Sequence, residues 1–144
     1  MKTIGEILGR RTPYWVAASW SVRRVVEYIC EKHVGAVPVV DADEVVGVFS
    51  ERDLMRRLVL PGLSLDDTGI ADVMTPDVIY VGPDESYLIA KELMVEHNIR
   101  HLIVNDDSGR LKGCVSLREL SETALLEANS LITKLNDQYY RTPD

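Results

Sequence analysis

The sequence is poor in the residues that build most reactive sites. It holds two cysteines and three histidines in 144 residues. Cys30 and Cys114 stand alone in apolar surroundings, with no C-x-x-C and no histidine at ligand spacing, so a zinc site or a disulfide framework has nothing to build on. Both cysteines are predicted to be core residues. Basic residues run no further than pairs such as Arg10-Arg11, and 16 Lys+Arg against 23 Asp+Glu leave a net charge of −7. The cationic footprint of a nucleic-acid binder is therefore missing. No apolar stretch approaches a membrane span, and the short apolar segment between Glu6 and the arginine pair lacks the long run of a signal peptide. These absences predict a cytoplasmic protein without nucleic-acid or membrane partners. Aromatic residues make up 6% of the chain and hydrophobic residues 46%. The core must then be aliphatic, and the length suffices for one compact domain rather than two independent ones.

What is present is a repeat. The segment Val45-Val46-Gly47-Val48-Phe49-Ser50-Glu51-Arg52-Asp53-Leu54 recurs as Leu111-Lys112-Gly113-Cys114-Val115-Ser116-Leu117-Arg118-Glu119-Leu120, with Gly, Ser, Arg and Leu matched at an offset of 66. Upstream the offset is 65, pairing Val16 with Val81, Ser21 with Ser86, Val39 with Val104 and Asp41 with Asp106. The one-residue change falls in a polar turn, where insertions are tolerated. Ile4-Gly5-Glu6-Ile7-Leu8 also stands before Thr12-Pro13 much as Ile70-Ala71-Asp72-Val73-Met74 stands before Thr75-Pro76.

Each copy reads as β-α-β-β-α after a short helical lead. Ser21 and Ser86 can cap helices whose apolar positions, Val22, Val25, Val26 and Ile29 in one copy and Leu88, Ile89, Leu93 and Met94 in the other, recur at helical spacing. Val34 to Val40 and Ile99 to Val104 are short and β-branched, and polar turns lead from each into a returning strand. Pro61 to Gly69 reads as a linker. Leu117, Leu120, Ala124, Leu125, Ala128, Leu131, Ile132 and Leu135 fall at spacings of three and four, which predicts a long amphipathic helix. The expected organisation is a first motif with its lead over 1–60, the linker over 61–69, a second motif over 70–124, and a helix with tail over 125–144.

The spacing Gly47-x-x-Ser50-x-x-Asp53 carries chemistry of its own. A glycine lets a ligand approach the backbone, and a serine at a helix N-terminus offers a hydroxyl and free amides to a phosphate. Asp53, one turn on, shares a face with Ser50, and a carboxylate there can accept both hydroxyls of a ribose. An ordinary capping turn needs the same residues. Recurrence as Gly113, Ser116 and Glu119, with Arg52 and Arg118 matched between them, favours ligand binding. Ser50, Asp53 and the histidines do not form a legible hydrolytic set, because His33 and His97 fall at helix ends, where the dipole favours them. Tyr14, Trp15 and Trp20 are expected to pack under the N-terminal lead.

Two tandem units, the strand Val37-Pro38-Val39-Val40-Asp41, the opening Met74-Thr75-Pro76 and the Gly-x-x-Ser-x-x-Asp turn together resemble a pair of CBS domains, over roughly residues 4 to 124. The resemblance implies a Bateman module of α/β (α+β) class, in which two motifs pack about a pseudo-twofold axis. The clefts between them would bind adenosyl ligands such as AMP, ADP, ATP, NAD(H) or S-adenosylmethionine. Such modules sense nucleotides rather than catalyse. The likeness places adenine against Val16 and Ala17 with Ala36, Val37 and Pro38 in the first copy. In the second it places adenine against Val81 with His101, Leu102 and Ile103. Arg100 and His101 could then reach the phosphate of a ligand whose ribose is held by Asp53, the alternative for His101 being a strand residue facing solvent.

The resulting expectation is a stand-alone CBS pair that binds an AMP-type nucleotide and shifts the conformational population of a module acting on a partner in trans. A redox sensor binding NAD(H) and a ligand-free scaffold are the alternatives. The apolar faces including Leu54, Leu58 and the Leu120 to Leu135 stripe predict a homodimer. Glu119 in place of an aspartate, and Ile103 where the first copy has Pro38, predict that the Ser50/Asp53 cleft fills before the Ser116/Glu119 cleft.

Overall fold

The computed structural model describes residues 1–140. The elements follow in the order α1 (Ile4–Leu8), β1 (Val16–Ala17), α2 (Val22–Lys32), β2 (Ala36–Asp41), β3 (Glu44–Ser50) and α3 (Glu51–Asp53). After them come α4 (Ile70–Val73), β4 (Tyr80–Val81), α5 (Tyr87–Glu96), β5 (His101–Asn105), β6 (Leu111–Ser116) and α6 (Leu117–Tyr139). Beyond Asp53 the chain of α3 continues as a π-helical stretch, Leu54–Val59. The tail residues 141–144 lie outside the described residues.

Each copy builds a three-stranded sheet, β1-β2-β3 and β4-β5-β6, with the first pair parallel and the second antiparallel. Short turns make each second pair an antiparallel hairpin and the intervening helices α2 and α5 make each first pair parallel, while in each copy the register slips by one residue near the hairpin end, after Val39 and after Val104. Serine side chains cap the helices as expected: Ser21 accepts from the Arg24 amide, Ser86 from Leu88, Ser50 from Asp53 and Ser116 from Glu119. His33 and His97 occupy the C-caps of α2 and α5.

Two aliphatic cores result, and the leads are exchanged between them. Ile4 and Leu8 of α1 belong to the core of the second copy with Val81, Met94 and Leu120. Ile70 and Val73 of α4 belong to the core of the first copy with Val16, Val37 and Phe49. Backbone bonds fix the exchange: the Ile4 and Gly5 amides donate to the carbonyls of Glu85 and Pro83, and the Ile70 amide donates to Trp20. The lead therefore does not cover Tyr14, Trp15 and Trp20. Trp20 instead packs on the first core, edge-on to Tyr28 with Arg24 over its ring, while Trp15 is exposed.

Three further expectations change. Cys114 is buried, but Cys30 is exposed on α2. The buried face of α5 is Tyr87, Ala90 and Met94, with Leu88 and Ile89 turned outward. Of the long stripe on α6 only Leu120 is fully buried, and Leu125, Leu131, Ile132 and Leu135 remain exposed because the helix runs past the sheet that covers its start.

Candidate functional site

The first cleft lies between the copies and measures about 500 Å³. The strand-to-helix corner at Ser50 supplies one wall. There the capping box is reciprocal: the Asp53 amide donates to Ser50 Oγ (3.3 Å), while Ser50 N–H and Oγ–H donate to Asp53 Oδ2 (3.0 and 3.1 Å). The other oxygen, Oδ1, accepts from the Thr75 hydroxyl at 3.0 Å and lies 3.6 Å from Arg57 Nε. The Asp53 side chain is only 13% exposed. It is thus a capping residue and a link between the copies at once.

The opposite wall comes from the second copy. Ile79, Ile99 and Ile103 present aliphatic surface opposite Val48 and Ala36, and Arg100 and His101 complete the rim with Arg52, Arg56 and Arg57. Arg52 and Arg57 are oriented by backbone carbonyls, Asn98 at 2.9 Å and Met74 at 2.8 Å. His101 lies against Gly35, where an added Cβ would meet its Nε2 at 3.2 Å. Burial holds the His101 imidazole below its ordinary pKa of 6.5. The cleft thus combines an apolar slot, a carboxylate beside a hydroxyl, and a cationic rim that suits a phosphate.

Of the residues singled out in the sequence, Ala36, Ser50, Arg52, Asp53, Arg100 and His101 line this cleft, and so does Ile103, which was expected against a base in the second copy's site. Val16, Val37, Val81 and Leu102 do not, because their side chains are buried in the two cores. Ala17 and the buried Pro38 also lie away from its lining. Gly47 makes room for protein rather than for ligand: a Cβ there would strike the Met74 side chain and the Thr75 carbonyl. Gly113 does the same for Leu8. Sequence reasoning missed Val48, Ile79 and Ile99 of the apolar slot, and Arg56, Arg57 and Thr75, as lining residues. Thr75 stood in the quoted Met-Thr-Pro opening, so the signal was present, but only the fold brings it to Asp53.

Around Ser116, Arg118 and Glu119 the geometry is different. The capping box recurs, with Ser116 N–H and Oγ–H each 3.4 Å from Glu119 Oε1. Glu119 Oε2 is ion-paired with Arg11 at 2.9 Å, and the Tyr14 hydroxyl sits beside the Cys114 sulfur. Burial pushes the Cys114 thiol up to about 12 and raises Tyr14 further above its ordinary value. Among the described residues no group of three or more His, Cys, Asp or Glu side chains could hold a metal ion, and no helix is long and apolar enough to cross a membrane.

The duplicated architecture agrees with a family model: the CBS domain matches residues 4–60 and again 70–125. The chain belongs to the CBS-domain family. It is 31% identical over 127 residues to the CBS domain-containing protein CBSX3, mitochondrial, of Arabidopsis thaliana, covering 85% of this chain and 61% of that protein. The chain thus spans about three-fifths of that relative. Among solved structures, a protein with CBS domains from Burkholderia ambifaria MC40-6 superposes with a TM-score of 0.82 at 35% identity, covering 87% of this chain and 95% of that one. The CBS domain protein PAE2072 from Pyrobaculum aerophilum, complexed with AMP, superposes with a TM-score of 0.78 at 29% identity, over 89% of this chain and 98% of that one. CBS-pair relatives of this kind fit a regulatory, adenosyl-ligand-sensing role.

Proposed function

We propose that this CBS pair is a non-catalytic regulatory module that senses an adenine nucleotide of the AMP type in the first cleft and acts on a partner in trans, with the cytoplasm as its compartment. The observation that carries the reading is the meeting of three recognition elements in one cleft. Val48, Ile79 and Ile103 offer a slot for a base, Asp53 Oδ1 and the Thr75 hydroxyl suit a ribose diol, and Arg57, Arg100 and His101 suit a phosphate. The AMP complex of the P. aerophilum relative supports the ligand class. A ligand held from both walls stabilises one packing of the two copies over others, which is the form a population shift would take.

Calorimetric titration with AMP tests this. Asp53→Asn removes the charge from an acceptor of the ribose hydroxyls, and we expect AMP affinity to fall about tenfold or more while the fold persists. Asp53→Ala also removes the capping box, so it should lose about 1 kcal/mol of stability as well. Unchanged AMP affinity in a folded Asp53→Asn variant would remove the assignment, and tighter binding of NADH than of AMP would replace the ligand.

A further inference from the structure

We propose that the groove at the turn ends of the two hairpins is a docking site for a peptide segment of the regulated partner, with one arginine of that segment seated against Trp15 and Tyr80. The inference rests on the reading of this chain as acting on a partner in trans, and not on the nucleotide. The groove shares no lining residue with the first cleft, so either assignment can fail without the other.

Both copies build the groove. Trp15, just before β1, and Tyr80, which opens β4, stand at matched positions of the repeat, and both line a space of about 830 Å³ that the β2–β3 and β5–β6 turns complete. The Tyr80 hydroxyl donates to the Val45 carbonyl at 3.2 Å, which ties the second copy to the first hairpin. Val45 and its counterpart Leu111 add aliphatic lining. Trp15 and Tyr80 are 48% and 43% exposed, so much of each ring is left without a partner in the chain. Tryptophan and tyrosine supply much of the binding energy where a partner covers them.

Charge decides what the rings can meet. Asp43 and Glu44 line the groove, and among the described residues neither is ion-paired. Asp106 nearby is already satisfied, accepting from Ser108 and the Arg110 amide and pairing with Lys112. Asn105 also lines the groove, and among the described residues its Oδ1 is the one buried side-chain polar atom without a hydrogen-bond partner. Such an atom calls for a donor. A guanidinium answers all three features, because it is cationic, stacks its plane on aromatic rings and donates from a fork of N–H groups. The groove is larger than one guanidinium fills, which leaves room for chain on either side of it. Arg110, the counterpart of Glu44, is the single cation of the lining. It disfavours a second basic residue beside the first, so the segment carries one arginine among uncharged residues rather than a basic run.

The experiment titrates the full chain into a fluorescein-labelled, end-blocked pentapeptide with one arginine among alanines, read by anisotropy. We expect saturable binding by millimolar protein, weakened about fivefold by Trp15→Ala and by Glu44→Gln and strengthened by Arg110→Ala, with AMP affinity unmoved by all three. Peptides with lysine or glutamate in place of the arginine should bind more weakly. Binding that is absent, that the lysine or glutamate peptide matches, or that neither Trp15→Ala nor Glu44→Gln weakens overturns the proposal. Free arginine that competes as well as the unlabelled peptide would overturn it too, in favour of a small-molecule site. So would a dimer that Glu44→Gln dissociates in the absence of peptide, since a second copy would then occupy the groove. Should Trp15→Ala fail to fold, Glu44→Gln decides alone, because its side chain stands exposed at the start of β3.

Discussion

His101 sits where both copies act on one titratable group. Glu51 of α3 and Glu119 of α6 favour its charged form, Arg100 and Arg52 oppose it, and burial outweighs them all, so the imidazole stays below its ordinary 6.5. The unfolded chain then binds a proton near pH 6.5 that the folded chain takes up only at lower pH. Stability is fully present above that value and is lost as pH falls through it. We expect the denaturant midpoint to drop between about pH 7.5 and 5.5, and this part of the slope to vanish in His101→Asn. A slope unchanged by the substitution would clear His101 of the effect. The two cysteines show how far neighbours decide a residue's fate: Cys114, sealed beside Tyr14, is held as a thiol, whereas a thiol reagent can reach Cys30 on the open face of α2.

At the level of elements, the two repeated glycines acquire a structural reason. β3 pairs through Val48 with Thr75, at 2.9 and 2.8 Å, just after α4 has crossed onto the first sheet, and Gly47 lies under that crossing. Gly113 lies likewise under Leu8 of α1 on the second sheet. Each glycine is therefore needed where an exchanged lead passes close over a strand. Gly47→Ala forces its methyl group into Met74 and the Thr75 carbonyl, and overpacking of that kind costs about 1–3 kcal/mol. We expect the midpoint of chemical unfolding to fall accordingly and AMP affinity to fall with it, because Thr75 also faces Asp53. A neutral Gly47→Ala would mean that the crossing is not tight. The π-helical stretch after Asp53 belongs to the same level, since Arg56 and Arg57 of the cleft rim lie on it.

The whole molecule leaves apolar surface uncovered. Leu125, Leu131, Ile132 and Leu135 are between 44% and 62% exposed along α6, and Met55 and Val59 are 58% and 62% exposed beyond α3. The helix spans 23 residues, and its far half has little tertiary packing to support it, which is where isolated helices are marginal. We propose that a second copy covers this face, which would account for both facts. We expect light scattering at micromolar concentration to return the mass of a dimer, and Ile132→Glu to return that of a monomer. A monomeric wild-type chain would exclude this assembly.

Patterning and capping are local properties, and the duplication shows as matched residues at a fixed offset, so all three are legible in the sequence. The matched segments around Ser50 and Ser116, the β-branched strands and the serine caps all rest on neighbours within a few residues, and each appears where periodicity puts it. The cleft was legible only in part, because Ser50, Asp53 and Arg57 lie within two turns of one helical segment, whereas Thr75 and Ile79 reach them through the fold. Which sheet each lead would cover was decided by backbone pairing between distant segments, Ile4 to Glu85 and Ile70 to Trp20. That exchange buries Val16 and Val37, sets Gly47 against Met74 and brings Arg11 to Glu119. Contacts across such separations depend on how two cores share their surfaces, and no spacing along the chain encodes that choice.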